Sequence, residues 1–405
     1  MSYKDKLTID DVELRGKRVL VRVDYNVPLD GGVIQDDKRI RETLPTIRKI
    51  LDDGGSAILM SHCGRPKGKR DSALSLKPVA VRLGELLGRE VKFVDDCVGE
   101  LARKVRAESL PGDVVLLENL RFHPEEEDCD DAFARELAEG ADIFVNDAFA
   151  ATHRSHASTV AVAGYIPVAV LGYLVLREME MLQGPLANPK RPFMAIIGGI
   201  KVSSKIAVIE NLLDSCDQIL IGGAMACTFF TTLGIMSGSA FCETDFIDTA
   251  RQILEKAGST ELGAGKLFLP IDAIVTDEIS PEGKRAVATF EDIPKDFSIV
   301  DIGPDTIARF KKELANAQTI IMNGPLGAFE VDQFSHGTRE IFKSLAERFE
   351  AGATVVLGGG DTASAAKKFG LENRATHIST GGGASLKVLE GKPLPAIEIL
   401  TDKDK

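Results

Sequence analysis

The sequence predicts an α/β protein made of two parallel-sheet domains. Short apolar, β-branched runs alternate with longer amphipathic stretches, which is the pattern of βαβ units. A chain of 405 residues has the length of about two to three domains. With 44% hydrophobic residues, it can bury a sizeable core. In the first half, strands are expected at Arg18–Val23, Ser56–Met60, Val91–Val94, Asp113–Leu117 and Asp142–Val145. Helices over Asp37–Leu51 and Leu76–Leu87 fall between them. A helix over Leu171–Leu182 then runs into GPLANPKRP, whose three prolines mark a connector between domains. The second half repeats the alternation, with strands at Phe193–Ile197, Gln218–Ile221, Lys266–Leu269, Thr319–Met322 and Thr354–Leu357. Its helices are expected at Ser203–Leu213, Asp305–Ala315 and Gly337–Phe349. The acidic cluster Glu125–Asp131 reads as a solvated loop or helix start.

Composition narrows the function. Lys and Arg number 49 against 61 Asp and Glu, a net charge of −12, which argues against a nucleic-acid surface or an anionic membrane surface. No apolar run approaches a membrane span, and the polar start MSYKDKLTIDD does not read as a secretory signal. The six cysteines are widely spaced with no C-x-x-C pair, which argues against zinc sites and a disulfide framework and for a reducing cytoplasm. The charge is also uneven. Residues 1–110 carry 22 basic and 18 acidic side chains, so the acidic surplus lies further along the chain.

In open parallel sheets, ligands bind beyond the carboxyl ends of the strands. Nearly every strand expected here ends in a polar or glycine-rich cluster. In the first half the tips hold Asp24 and Asn26, His62 and Arg65, Arg121 and His123, then Asp147, His153, Arg154 and His156, while Arg39 opens a helix. Arginine is favoured where carboxylate or phosphate is gripped by two hydrogen bonds, so these tips predict one anion site. A lone arginine at a strand end is commonly a surface ion pair, and His123 reads as an ordinary loop residue. Zinc held by His153 and His156 is a weaker reading, because no third ligand lies nearby in sequence.

The second half is glycine-rich at the same positions. IIGGIKVSSKI places a Gly-Gly turn, Lys201 and Lys205 at a helix start, where backbone N–H groups and ammonium groups suit a phosphate. It lacks the G-x-x-x-x-G-K-[ST] loop and a strict G-x-G-x-x-G. Gly222–Gly223 and Gly381–Gly383 punctuate other strand ends. In VVLGGGDTAS, Gly358, Gly359 and Gly360 open a helix, Asp361 is placed to hold Mg²⁺, and Thr362 to donate to a phosphate. MNGPLGAFE adds a tight turn with Asn323 and Pro325, then Glu330 for a ribose hydroxyl.

The segments VRVDYNVP, SHCGRPKG, LLENLRFHPEE, VNDAFAATHRSHAS, GGIKVSSKI, LIGGAM, MNGPLGAFE, VVLGGGDTAS and STGGGASL together resemble the phosphoglycerate kinase family. They run in family order from about residue 20 to about residue 390. Small departures are Ala150–Ala151–Thr152 in place of a Gly-Thr-Ala-like triplet, Ser204 where an acid is common, and Ala328 where Val is commoner. The resemblance implies two Rossmann-like domains, each a parallel sheet flanked by helices, facing across a hinged cleft. By residue matching, it gives a 3-phosphoglycerate-binding domain over 1–170, an interdomain helix over 171–183 and a nucleotide-binding domain over 184–388. The tail over 389–405 would return to the first domain. It implies reversible phosphoryl transfer between 1,3-bisphosphoglycerate and ADP, giving 3-phosphoglycerate and ATP, with Mg²⁺, in a cytoplasmic monomer. Asp24, Asn26, Arg39, His62, Arg65, Arg121 and Arg154 match the acid contacts. Lys205, Gly222, Asn323, Pro325, Glu330, Gly359, Gly360, Asp361 and Thr362 match the nucleotide side, with Asp361 near the metal. Arg39 and Lys201 match the pair at the transferred group. Two rivals are a phosphotransferase for another small acid and a non-catalytic hinged binding protein. The latter has no need of paired lysines at a glycine turn.

Overall fold

The computed structural model describes residues 3–235, 242–259, 265–379 and 381–404, so Thr380 of STGGGASL lies outside the described residues. The chain divides into two compact units, Met1–Glu180 with Pro393–Lys405, and Met181–Lys392.

The first unit holds a six-stranded, all-parallel sheet ordered Lys92–Val94, Val114–Leu117, Ser56–Met60, Arg18–Val23, Ile143–Asp147, Ala169–Leu171. Runs such as SAILM and VVLL are buried along their whole length, as strands covered by helices on both faces must be. One side of the sheet packs on helices through Val21, Val23, Ile47, Leu59, Val79 and Leu83, all fully buried. The tail from Pro393 belongs to this unit and is pinned by buried Lys6, which donates to the carbonyls of Glu398 and Leu400 and pairs with Asp402 at 2.6 Å.

The second unit carries another parallel sheet, ordered Leu267–Phe268, Gln218–Ile221, Phe193–Ile197, Thr319–Asn323, Thr354–Gly358, His377–Ser379. The order reverses between Phe193–Ile197 and Thr319–Asn323, which opens a crevice at their carboxyl ends. There the two chains approach too closely for any side chain: a Cβ on Gly198 would lie 2.0 Å from the Pro325 carbonyl oxygen. Among the described residues, no helix is long and apolar enough to cross a membrane.

Several expectations are corrected. The helix expected over Asp37–Leu51 is two, Lys38–Glu42 and Leu44–Asp52. Pro45 has no N–H to continue the ladder, and the Thr43 hydroxyl donates instead to the Ile40 carbonyl at 2.9 Å. The helix expected from Ser203 begins at Ile206, after a 3₁₀ turn over Val202–Ser204. Glu243 draws Ser203 aside by accepting its N–H at 2.9 Å and its hydroxyl at 2.7 Å. The connecting helix spans Tyr173–Ala187: Ala169–Leu171 is claimed as a sheet strand, and the helix runs through Pro185 in its last turn, giving up the bond that an N–H there would make to Met181. An antiparallel sheet of Ala273–Thr276, Arg285–Ala288 and Ser298–Ile302 was not expected. The acidic cluster is not simply solvated, because Glu126 is fully buried.

Asp147, expected at a strand tip among the anion-site residues, lies wholly buried as the last residue of Ile143–Asp147. Its Oδ1 accepts the N–H of Leu174 at 2.8 Å, capping the connecting helix, while Oδ2 has no hydrogen-bond partner. Burial pushes this carboxyl up to about 7. A carboxyl raised on folding adds stability below its unfolded value and loses it as pH rises through the folded one. Asp147→Asn keeps the Oδ1 acceptor but removes the titration. Its urea-unfolding free energy should therefore fall less than that of the parent between pH 5 and pH 8; an unchanged slope would contradict this.

Candidate active site

The two sheets present different chemistry at their carboxyl ends. In the first unit, Arg18–Val23 delivers Asp24 and Asn26 directly. The Asp24 carboxylate is buried and accepts Arg39 Nη1 at 2.6 Å, so the short helix Lys38–Glu42 brings Arg39 to the strand tip. Asn26 Oδ1 accepts the N–H of Gly64 at 2.9 Å, tying this tip to the His62–Arg65 turn. Arg121 reaches the same turn through Nη1 to the Gly64 carbonyl at 2.9 Å. Its Nη2 pairs with Glu127 at 3.1 Å, and its Nε is buried with no hydrogen-bond partner. Arg154 is half-buried and its Nε faces His153 Nε2 at 3.3 Å. Arg65 is exposed.

His62 reports how closely these charges converge. Burial, and then the charges of Arg22, Arg121, Arg154 and Arg39, hold its ring well below the ordinary histidine range. Arg22 Nη2 lies 3.1 Å from His62 Nδ1. Because a guanidinium only donates, Nδ1 must accept, which leaves neutral His62 with its proton on Nε2. His62 is therefore a donor set among cations, in a site suited to an anion.

Arg22 was missing from the sequence expectations. It is fully buried, and its Nε donates to Ser158 Oγ at 2.8 Å. Ser158 Oγ in turn donates to Glu126 Oε1 at 2.6 Å, and Ser158 N–H to Oε2 at 2.9 Å. Glu126 thus supplies the buried negative charge behind the basic cluster. The only advance signal was an arginine flanked by valines in a strand. His123 stays outside the group, bonded to Asp96 at 2.7 Å. His156 Nδ1 lies 3.7 Å from Glu126, and among the described residues neither it nor His153 joins a three-ligand metal cluster.

In the second unit the site forms where the sheet order reverses. Lys205 caps the helix Ile206–Ser215 and donates to Asn323 Oδ1. Asn323 Nδ2 donates to the Gly358 carbonyl at 3.0 Å, linking three strand ends. Burial lowers the Lys205 ammonium, and the nearby carboxylates of Asp361 and Glu390 oppose that shift. Gly359, at φ +96°, turns the chain into the helix Gly360–Lys368, whose first N–H groups lack helical partners. Asp361 is exposed in its first turn, and Lys201 and Glu330 are exposed as well. Thr362 is fully buried, and its hydroxyl oxygen accepts the Gly324 N–H at 2.8 Å, which fastens neighbouring loops and leaves its O–H as a donor. Gly222 and Pro325 pack the same crevice: a Cβ on Gly222 would strike Leu326 at 2.4 Å.

The family profile for phosphoglycerate kinase matches residues 9–392. The chain belongs to the phosphoglycerate kinase family. Phosphoglycerate kinase of Chloroherpeton thalassium is 49% identical over 397 residues, covering 98% of this chain and 99% of the relative. That of Synechococcus elongatus is 50% identical over 403 residues, covering 99% and 100%. The solved structure of phosphoglycerate kinase from Coxiella burnetii superimposes with a TM-score of 0.87 at 41% identity, over 97% of this chain and 98% of that one. The Pyrococcus horikoshii phosphoglycerate kinase structure gives 0.81 at 32% identity, over the same shares. These full-length matches identify the two-sheet architecture as that of phosphoglycerate kinases.

Proposed function

We propose that this chain performs the family's reaction, reversible phosphoryl transfer between 1,3-bisphosphoglycerate and ADP, with the acid on the first unit and the nucleotide on the second. The observation that carries the assignment is the convergence of Arg39, Arg121 and Arg154 on a neutral, proton-donating His62. Asp24 and Asn26 shape that site, and Arg65 guards its exposed edge. The buried, unpartnered Nε–H of Arg121 is a donor that a bound carboxylate or phosphate would satisfy.

On the second unit, the partnerless N–H groups after Gly359 and the Lys205 ammonium receive nucleotide phosphates, and Glu330 is free in solvent to meet the ribose. Gly222, Asn323 and Pro325 form the crevice floor, and Thr362, tied to the Gly324 N–H through its oxygen, keeps an O–H to donate to a phosphate. Asp361 is an exposed, hard oxygen ligand beside this phosphate site, which fits Mg²⁺ held by one carboxylate and substrate phosphates. When bound, the cation neutralises phosphate charge and helps orient it. The acceptor is a carboxylate, ionised at neutral pH, so the chain need supply no general base. Its task is to position two polyanions in line and to stabilise charge on the migrating group, the role proposed for Arg39 and Lys201.

No disulfide forms among the six cysteines, as suits the expected cytoplasmic setting. A coupled assay with 3-phosphoglycerate, ATP and Mg²⁺ tests the function. Turnover should require all three and stop with EDTA. Equal or greater turnover with another small carboxylic acid would favour a different phosphotransferase.

A further inference from the structure

On the edge of the first sheet, two neighbouring strand ends bring together three unlike ligand atoms. Asp96 and Cys97 follow Lys92–Val94, and His123 follows the turn after Val114–Leu117; those strands pair in register. The candidate atoms of Asp96, Cys97 and His123 all lie within 4.8 Å of one another, the one such group among the described residues. The loop is held from behind. Arg106 Nη1 donates to the Cys97 carbonyl at 3.0 Å, and Cys97 N–H donates to Asp96 Oδ1 at 2.7 Å. Cys97 is fully buried, whereas the His123 and Asp96 side chains are 28% and 42% exposed, so the thiol forms a floor with one open side. Glu125 and Glu136 stand near enough to His123 to act on its charge, and only Glu136 is shared with a cation, Arg103 at 3.4 Å. These carboxylates favour a positive ion beside His123, while the Arg106 guanidinium behind Cys97 opposes one.

We propose that Asp96, Cys97 and His123 form a three-ligand site for a borderline-soft divalent cation of the zinc type, with water completing a tetrahedron. Sulfur, nitrogen and oxygen donors together select such an ion over Mg²⁺ or Ca²⁺, which take oxygen ligands. The wide cysteine spacing excludes a closed four-cysteine centre, but an open site needs only one thiolate. On binding, the thiol loses its proton to solvent, the neutral His123 ring carries its one proton on Nδ1 so that Nε2 is a ligand, and the Nε2–Oδ1 pair opens from its 2.7 Å contact to admit the metal. The site stands apart from Asp361, which lies in the other unit.

Cobalt(II) titration of the full chain, in buffer free of added thiols, tests this. The expected result is one equivalent of tetrahedral Co²⁺ with a thiolate charge-transfer band, displaced by Zn²⁺ and untouched by excess Mg²⁺. Losing even an outer-shell partner commonly weakens metal binding by about 10–100-fold, so Cys97→Ser and His123→Gln should each weaken Zn²⁺ binding by at least about tenfold. Phosphoryl-transfer activity, which uses none of these residues, serves as the folding control. A missing band, or a band that survives Cys97→Ser, overturns the proposal. If Cys97→Ser does not fold, the half-exposed His123→Gln decides alone, and full retention of the cobalt signal in that variant overturns it.

Discussion

Arg39→Ala should lower kcat by about 10³–10⁵, the range found when an arginine that stabilises a transferring phosphoryl group is removed. Nucleotide affinity should remain near that of the parent, because Arg39 belongs to the first unit and the nucleotide is assigned to the second. The expected loss has two parts. The guanidinium disappears from the charge that develops during transfer, and Asp24, buried and paired with Arg39 at 2.6 Å, becomes an uncompensated anion beside an anionic substrate. Combining Arg39→Ala with Asp24→Asn separates them: the double variant should bind substrate better than Arg39→Ala alone without recovering kcat. Turnover within about tenfold of the parent would remove Arg39 from its proposed role.

Glu126→Ala should destabilise the protein by about 3 kcal/mol or more, the cost of removing one partner from a buried charge network. Glu126 and Arg22 are both fully enclosed and communicate through Ser158, so truncation leaves the Arg22 charge without its nearest buried counter-charge. A second effect should follow from geometry. Arg22 Nη2 fixes the His62 tautomer, so a displaced Arg22 should also weaken 3-phosphoglycerate binding. Urea unfolding measures the first effect and calorimetric titration the second. A variant as stable as its parent would show that Glu126 is not the balancing charge.

The parallel strands were legible because a strand covered on both faces must be largely apolar, and runs such as VVLL and FMAII are. The strand-end clusters were legible for the same reason: polar residues directly after such runs have only the sheet's carboxyl edge to occupy. The small antiparallel sheet was not. Its strand Arg285–Ala288 is exposed at three of four positions and shows no hydrophobic period. Glu126 was illegible because its partners Arg22 and Ser158 are remote in sequence, while its immediate neighbours are other acids. Thr362 looked like a phosphate donor from its place after three glycines. Its hydroxyl oxygen also accepts the N–H of Gly324, 38 residues away, a structural contact that only the sheet order creates. The net charge of −12 was no guide to the site, where a few arginines outweigh the sum.

The division of the two substrates between the two units is tested most directly by crossed calorimetric titration. 3-Phosphoglycerate and Mg²⁺–ADP are each titrated into Arg121→Ala and Lys205→Ala. Arg121→Ala should lose affinity for 3-phosphoglycerate by at least about tenfold and keep that for the nucleotide, and Lys205→Ala should do the reverse. If Lys205→Ala weakened 3-phosphoglycerate while nucleotide binding held, the assignment of the acid to the first unit and the nucleotide to the second would be wrong.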